Sequence, residues 1–259
     1  MKSTSSNYAA DNIAYWTNRT SGYSEVNKCE LQSDQHAVWG ITLDTHIQAH
    51  HSSKNRKETR ILDVGTGPGF FAIVLAEKNY LVTAVDYTDS MLNEASNNAG
   101  TLSAQIDFHK MDAEALTFAD GSFDVIVTRN LTWNLLNPEN AYRQWARVLA
   151  PGGLLLNFDA GWYNYLYDSK ARDGYLRDRE NIKSAGVNNE TDGTDVFAME
   201  ALANQAPLST QQRPEWDITV LRGLGMRTEV ETEVWKTVWT YEEKINNDST
   251  PMFLIKAIK

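Results

Sequence analysis

Three glycines fall within five residues of the stretch "ILDVGTGPGFFAIVLA": Gly65, Gly67 and Gly69. A glycine-rich turn between a strand and a helix lets backbone N–H groups and the helix N-terminus approach a ligand, where a side chain would stand in the way. The spacing here is G-x-G-x-G, with Asp63 two residues ahead of it and Thr66 inside it. The dinucleotide fingerprint G-x-G-x-x-G needs a glycine at position 70. Phe70 stands there, which disfavours a nicotinamide oxidoreductase. Asp86 closes the next apolar run, 19 residues after Gly67. A carboxylate in that place can accept hydrogen bonds from both ribose hydroxyls of an adenosine; the plainer alternative is a strand-end aspartate facing water. Asp112, followed by Ala113, closes a third run. It can accept from an adenine amino group, cap a helix over "AEAL", or do both.

These side chains need a scaffold. Short apolar runs at Arg60–Val64, Leu81–Asp86, Ile106–Met111, Asp124–Thr128 and Leu154–Asp159 alternate with helical patterns at Phe70–Lys78, Asp89–Asn98 and Pro138–Leu149. Such alternation predicts βαβ units on a parallel sheet with right-handed crossovers. Asn137 is expected to cap the helix that Pro138 opens, and "PGG" at 151–153 to force a turn. Residues 1–57 read as a helical cap, with Val38, Ile41, Leu43 and Ile47 on an apolar stripe. Residues 58–259 read as the core, interrupted at 160–212 by a polar, aromatic-rich helical insertion. A helix over Glu215–Leu224 follows. Two closing strands, about Thr228–Val238 and Met252–Ile258, are expected to pair antiparallel across a short loop.

Composition narrows the function classes. The net charge of −10 works against binding phosphate backbones or anionic membranes. With one cysteine, Cys29, an intrachain disulfide is impossible and a thiolate zinc site is effectively excluded. His46, His50 and His51 are close enough to suggest a metal, but no H-E-x-x-H pattern exists; a solvated helix end is expected, with no metal. His36 is a weak candidate base. No apolar stretch reaches the length of a signal core or membrane span, so no membrane insertion and a cytoplasmic location are the expectations.

Taken together, "LDVGTGPG", "VTAVDYTDSMLNEA", "MDAEALTFADGSFDVIVTRN" and "RVLAPGG" resemble the class I S-adenosylmethionine-dependent methyltransferases over about residues 58–160. The resemblance implies an α/β, Rossmann-like, doubly wound seven-stranded sheet, mostly parallel with one antiparallel strand, in the order 3-2-1-4-5-7-6, plus a helical cap. It implies S-adenosyl-L-methionine as cofactor and S-adenosyl-L-homocysteine as product. Asp63, Gly65, Thr66, Gly67 and Gly69 would surround the methionyl end, Asp86 the ribose, and Tyr87 and Met91 the adenine. Asp112 and Ala113 would meet its amino edge, and Asn130 would stand near the methionyl group. "YWTNRTSGYS" resembles a segment that closes over the cofactor, with Tyr23 as lid and Tyr15 and Arg19 behind it.

Methyl transfer from a sulfonium is an in-line displacement that asks the protein to align a nucleophile and exclude water. No Asn/Asp-Pro-Pro-aromatic motif follows the fourth run, and Cys29 is far from it, so nucleic acid is not the expected substrate. A small-molecule acceptor at an O, N, S or C atom is expected, with Trp133, Trp162 and Tyr163 touching it or packing the cap. "RVLAPGG" also resembles quinone-precursor C-methyltransferases. A non-catalytic S-adenosylmethionine-binding regulatory module is the remaining alternative.

Overall fold

The computed structural model describes residues 4–259, with side chains described from Tyr8 onward. Two helices lead the chain, α1 (Thr4–Gln32) and α2 (Asp34–His50). Ser33 caps α2, its hydroxyl accepting from the Gln35 N–H. The buried stripe of α2 is Trp39, Leu43 and Ile47, one turn apart. Ile41, expected on that stripe, is exposed, because it points to the opposite face.

The alternating region then folds as its pattern predicts: β1 (Arg60–Val64), α3 (Phe70–Glu77), β2 (Leu81–Asp86), α4 (Asp89–Ala99), β3 (Ile106–Lys110), β4 (Phe123–Arg129), α5 (Pro138–Val148) and β5 (Leu149–Asp159). β4 is buried along almost its whole length, as a strand covered on both faces must be. The insertion supplies α6 (Ser169–Ala185) and α7 (Val196–Ala203). After it come α8 (Glu215–Gly223), β6 (Arg227–Glu231), α9 (Trp235–Val238), α10 (Tyr241–Asn246) and β7 (Phe253–Ile258). The sheet order is β3-β2-β1-β4-β5-β7-β6, with β7 antiparallel to both neighbours and the other pairs parallel. The parallel strands therefore end together, and the turns after β1, β2, β3 and β4 share one edge.

Four local expectations are corrected. The penultimate strand stops at Glu231, and Trp235–Val238 is helical. Val234, Val238 and Trp239 repeat at helical spacing and bury in the same cluster as Trp39, which decides the conformation. The link to β7 is thus not a short loop but carries α9 and α10, the latter held by a Thr240–Glu243 capping box. The "PGG" lies inside β5, where the register with β4 shifts between Phe123 and Val125. Asn137 gives α5 no side-chain cap; its own N–H donates to the Glu114 carboxylate at 2.8 Å. Asp112 likewise turns the chain rather than starting a helix, accepting from the Glu114 N–H at 2.8 Å.

The end of α2 is not a solvated one. His50 Nε2 lies 2.7 Å from the Gly152 carbonyl and His51 Nε2 3.2 Å from the Asp124 carbonyl, which docks the helix on the sheet. His36 meets Glu77 at the surface of α3. Among the described residues no helix is long and apolar enough to cross a membrane. Cys29 is exposed on α1, one residue before Glu30.

Candidate active site

The glycine turn follows β1 directly. All three glycines have positive φ, +69° at Gly65, +52° at Gly67 and +96° at Gly69, a region L side chains rarely occupy. A Cβ at Gly65 would lie 2.7 Å from Leu131 Cδ1, and one at Gly69 3.0 Å from Ala95 Cβ. A Cβ at Gly67 would meet the Tyr23 ring at 3.4 Å. Gly65 and Gly69 are therefore required by packing as well, whereas Gly67 faces open space beneath a tyrosine. The Gly65 and Thr66 N–H groups donate to the Val85 carbonyl, which ties the turn to β2.

Asp63 lies buried under this turn and accepts from the Thr66 hydroxyl at 2.6 Å. Burial pushes its carboxyl up to about 7, against the opposing pull of that hydroxyl and of Arg129. Asp63, Thr66 and Gly69 shape the turn from below and do not line the space above it. Asp86 does line it. Its Oδ2 accepts from the Gly67 N–H at 3.0 Å, and Oδ1 accepts from the Thr88 N–H and hydroxyl, both at 2.9 Å. Burial raises its carboxyl above the usual range while these donors lower it.

Above the turn is a cavity of about 280 Å³. Gly65 and Gly67 form its floor, and Asp86, Tyr87 and Met91 form one wall. Asp112 and Ala113 close the next, and Asn130 the far end. Met111, Glu114 and Leu131 also reach it, each adjacent in sequence to a residue already singled out. The roof is α1, which presents Tyr8, Asn12, Trp16 and Tyr23. Trp16 and Tyr23 are seven residues apart and share a helix face. Tyr15 and Arg19 precede Tyr23 by two turns and one turn of α1; they line a second cavity, which Tyr23 also lines, but not the first.

Residues 62–157 match the family model described as a methyltransferase domain. A ubiquinone biosynthesis O-methyltransferase of Coxiella burnetii is 31% identical over 113 residues, covering 43% of this chain and 48% of that protein. A demethylmenaquinone methyltransferase of Thermus thermophilus is 37% identical over 120 residues, 46% of this chain and 54% of that protein. The chain thus spans about half the length of the curated relatives it matches. Among solved structures, the plantazolicin methyltransferase BpumL superposes with a TM-score of 0.62 at 13% identity, over 97% of this chain and 95% of that one, which is a likeness of fold. The matched segment carries the glycine turn and both strand-end aspartates. Over this segment the chain is similar to methyltransferase domains.

The sheet meets its helical cap at the second cavity, of about 270 Å³, which shares Trp16, Tyr23 and Asn130 with the first. Trp133, Trp162 and Tyr163 all line it. Asn130 joins the two spaces with φ +55°, a strained value for a residue with a Cβ. Its buried Oδ1 has no hydrogen-bond partner, while its carbonyl accepts from Trp133 Nε1 at 2.9 Å. Trp133 in turn packs on Tyr163, ring centroids 4.7 Å apart.

Two buried charge networks that the sequence did not reveal hold this junction. Arg213 pairs with Asp159 at 3.1 Å and with Asp217 at 2.8 Å, all three side chains fully buried. Asp159 accepts from the Thr132 hydroxyl and from the Trp133 N–H, so it fixes the turn that carries Trp133. Tyr142 donates to Asp217 at 2.5 Å and accepts from Asn157. Nearer the roof, Arg129 at the end of β4 makes a two-pronged bond to Glu30 of α1, both distances 2.8 Å. Its guanidinium lies over the Phe70 ring, 4.7 Å from the centroid, and borders the first cavity.

Proposed function

We propose that this chain transfers a methyl group from S-adenosyl-L-methionine to a small molecule, with the cofactor in the first cavity and the acceptor in the second. The observation that carries the reading is the junction: the two cavities are neighbours that share Asn130, Trp16 and Tyr23 in their linings. An in-line displacement needs donor and acceptor on opposite sides of one point. The cofactor, when bound, supplies an electrophilic methyl on a sulfonium.

The residues present fit that cofactor. Asp86 has an acceptor site left on Oδ2 for a ribose hydroxyl, and its bond to Gly67 fixes its direction. Asp112 and Ala113 offer an edge for the adenine. The unpartnered Asn130 Oδ1 is an acceptor aimed at the methionyl end. Tyr23 over Gly67 covers the site and excludes water. The three residues common to both cavities include no ordinary base, and burial pushes the Tyr23 hydroxyl above its usual value. The acceptor atom therefore has to arrive as a competent nucleophile, by its own chemistry.

A quinone precursor is the second reading, favoured by the names of the relatives and by the aromatic lining. Trp162 and Tyr163 lie beyond residues 62–157, the stretch that matches the methyltransferase-domain model. Titration calorimetry with S-adenosylhomocysteine and with NADH tests the cofactor assignment. Binding of the first and not the second is expected; the reverse overturns it. Release of S-adenosylhomocysteine with a bound acceptor separates an enzyme from a cofactor-binding regulatory module.

A further inference from the structure

The second cavity has two ends of different chemistry. From the junction, an aromatic ladder runs away from Asn130: Trp133 on Tyr163, Tyr163 on Tyr165 at 5.9 Å, and Tyr165 stacked on Tyr175 at 4.1 Å and 9°. Tyr175 ends against the Arg179 guanidinium, 5.0 Å from its centroid. Asp178 and Glu190 line the cavity at this far end.

These two carboxylates make no ion pair, although the Arg179 guanidinium is near enough to pull both downward. Asp178 is 3% exposed, and its Oδ2 takes the Ser249 N–H and hydroxyl. Glu190 takes only the Asn247 amide, at 3.0 Å. Neither lies within ion-pair distance of a Lys, Arg or His among the described residues. Arg179 directs both terminal nitrogens elsewhere, to Asn189 Oδ1 and the Asn246 carbonyl. Two carboxylates against one arginine leave this end acidic and rich in acceptors. Burial lifts both carboxyls above their ordinary range, with Asp248 adding to the rise at Asp178 and Glu243 and Glu242 at Glu190. A cation placed between them would reverse that cost. A separate observation marks the aromatic part as a binding surface: Tyr15, 9% exposed, lines the cavity with its hydroxyl unpartnered, and so does the Trp162 indole N–H.

We propose that the methyl acceptor is an amphipathic organic cation, with a flat apolar body against the Trp133–Tyr175 aromatic ladder and an ammonium or guanidinium group held by Asp178 and Glu190, opposite the atom that is methylated. Aromatic faces attract a cation as well as packing an apolar body. The net charge of −10 steers the same kind of ligand inward. This inference rests on the reading of the second cavity as the acceptor site.

Three indoles with short side chains that end in a cation, a methyl group or a carboxylate probe it by calorimetry on the full chain, with and without S-adenosylhomocysteine: tryptamine, 3-ethylindole and indole-3-propionate. Tryptamine is expected to bind at least about tenfold more tightly than 3-ethylindole, and indole-3-propionate most weakly. Glu190→Gln and Asp178→Asn should each remove most of the tryptamine advantage while leaving 3-ethylindole and S-adenosylhomocysteine unchanged. Glu190 is the more accessible of the two, so its variant tests the charge should the Asp178 variant unfold. Equal binding of the three indoles, preference for the carboxylate, or no binding of any overturns the proposal. Tryptamine preference without S-adenosylhomocysteine binding would instead leave the cation site standing and remove the methyltransferase reading.

Discussion

Asp86 is the residue on which the cofactor assignment turns. Charge-assisted hydrogen bonds contribute roughly 1.5–3 kcal/mol each, so Asp86→Ala should weaken S-adenosylhomocysteine binding at least about tenfold. Calorimetry on the folded variant checks this, and unchanged affinity would remove Asp86 from the site. Gly67→Val should abolish binding while the sheet persists, since its φ of +52° and the ring 3.4 Å from its Cβ leave no room for a branched side chain. Circular dichroism separates that outcome from unfolding. Asp63 makes a prediction in pH. Its carboxyl stands at about 7 in the folded chain against 3.8 when exposed, so the fold favours the protonated form. That contribution is complete below about pH 4 and is lost as pH rises through about 7. The melting temperature of the wild type relative to Asp63→Asn should therefore fall between about pH 4 and about pH 8; a difference that stays flat or rises would show that Asp63 ionises freely. The aspartates and glycines were legible because chemistry and spacing coincide in one short stretch. The carboxylates at 178 and 190 were not, because nothing local distinguishes them from solvated helix charges.

Among the elements, α1 matters most to the site, since it roofs the first cavity and walls the second. Its tie to the sheet is the Arg129–Glu30 pair. The pair is partly buried, its side chains 15% and 12% exposed, so removing one partner should cost less than the roughly 3–5 kcal/mol of a fully buried pair. Glu30→Gln should accordingly speed hydrogen exchange along α1 and weaken S-adenosylhomocysteine binding, with β1 and β4 still protected. Unaltered exchange in α1 would mean that packing alone holds the roof. Ligand binding should do the opposite. Exchange is expected to slow across residues 4–50 and 160–212 when S-adenosylhomocysteine binds, most strongly near Tyr23. Slowing confined to Gly65–Gly69 and Asp86 would make the cap a static wall. The pattern of α1 was readable only as helix. Which face it turns to which cavity depends on a seven-residue interval, Trp16 to Tyr23, that aromatic content alone did not single out. The misread strand at 232–238 has the same origin: β-branched and aromatic residues suggested a strand, and burial at helical spacing against the Trp39 cluster prevailed.

For the molecule as a whole, the sheet order followed from family likeness and strand–helix alternation, since those are properties of the chain read in order. The Asp159–Arg213–Asp217–Tyr142 network was invisible, because its members are brought together from β5, α5, and α8 with its approach, and each is an ordinary residue in its own place. The acceptor cavity is of this kind too. Its walls come from the roof helix, the turn after β4, the insertion and α10, so its chemistry exists only once the chain has folded. One further property is global. The chain has a single thiol, and it is exposed beside the residue that latches the roof. An environment-sensitive fluorophore attached to Cys29 would thus report on the hinge of the roof in an otherwise unaltered protein. A signal that changes when S-adenosylhomocysteine is added would record movement of the roof in real time, and an unchanged signal would agree with a static wall.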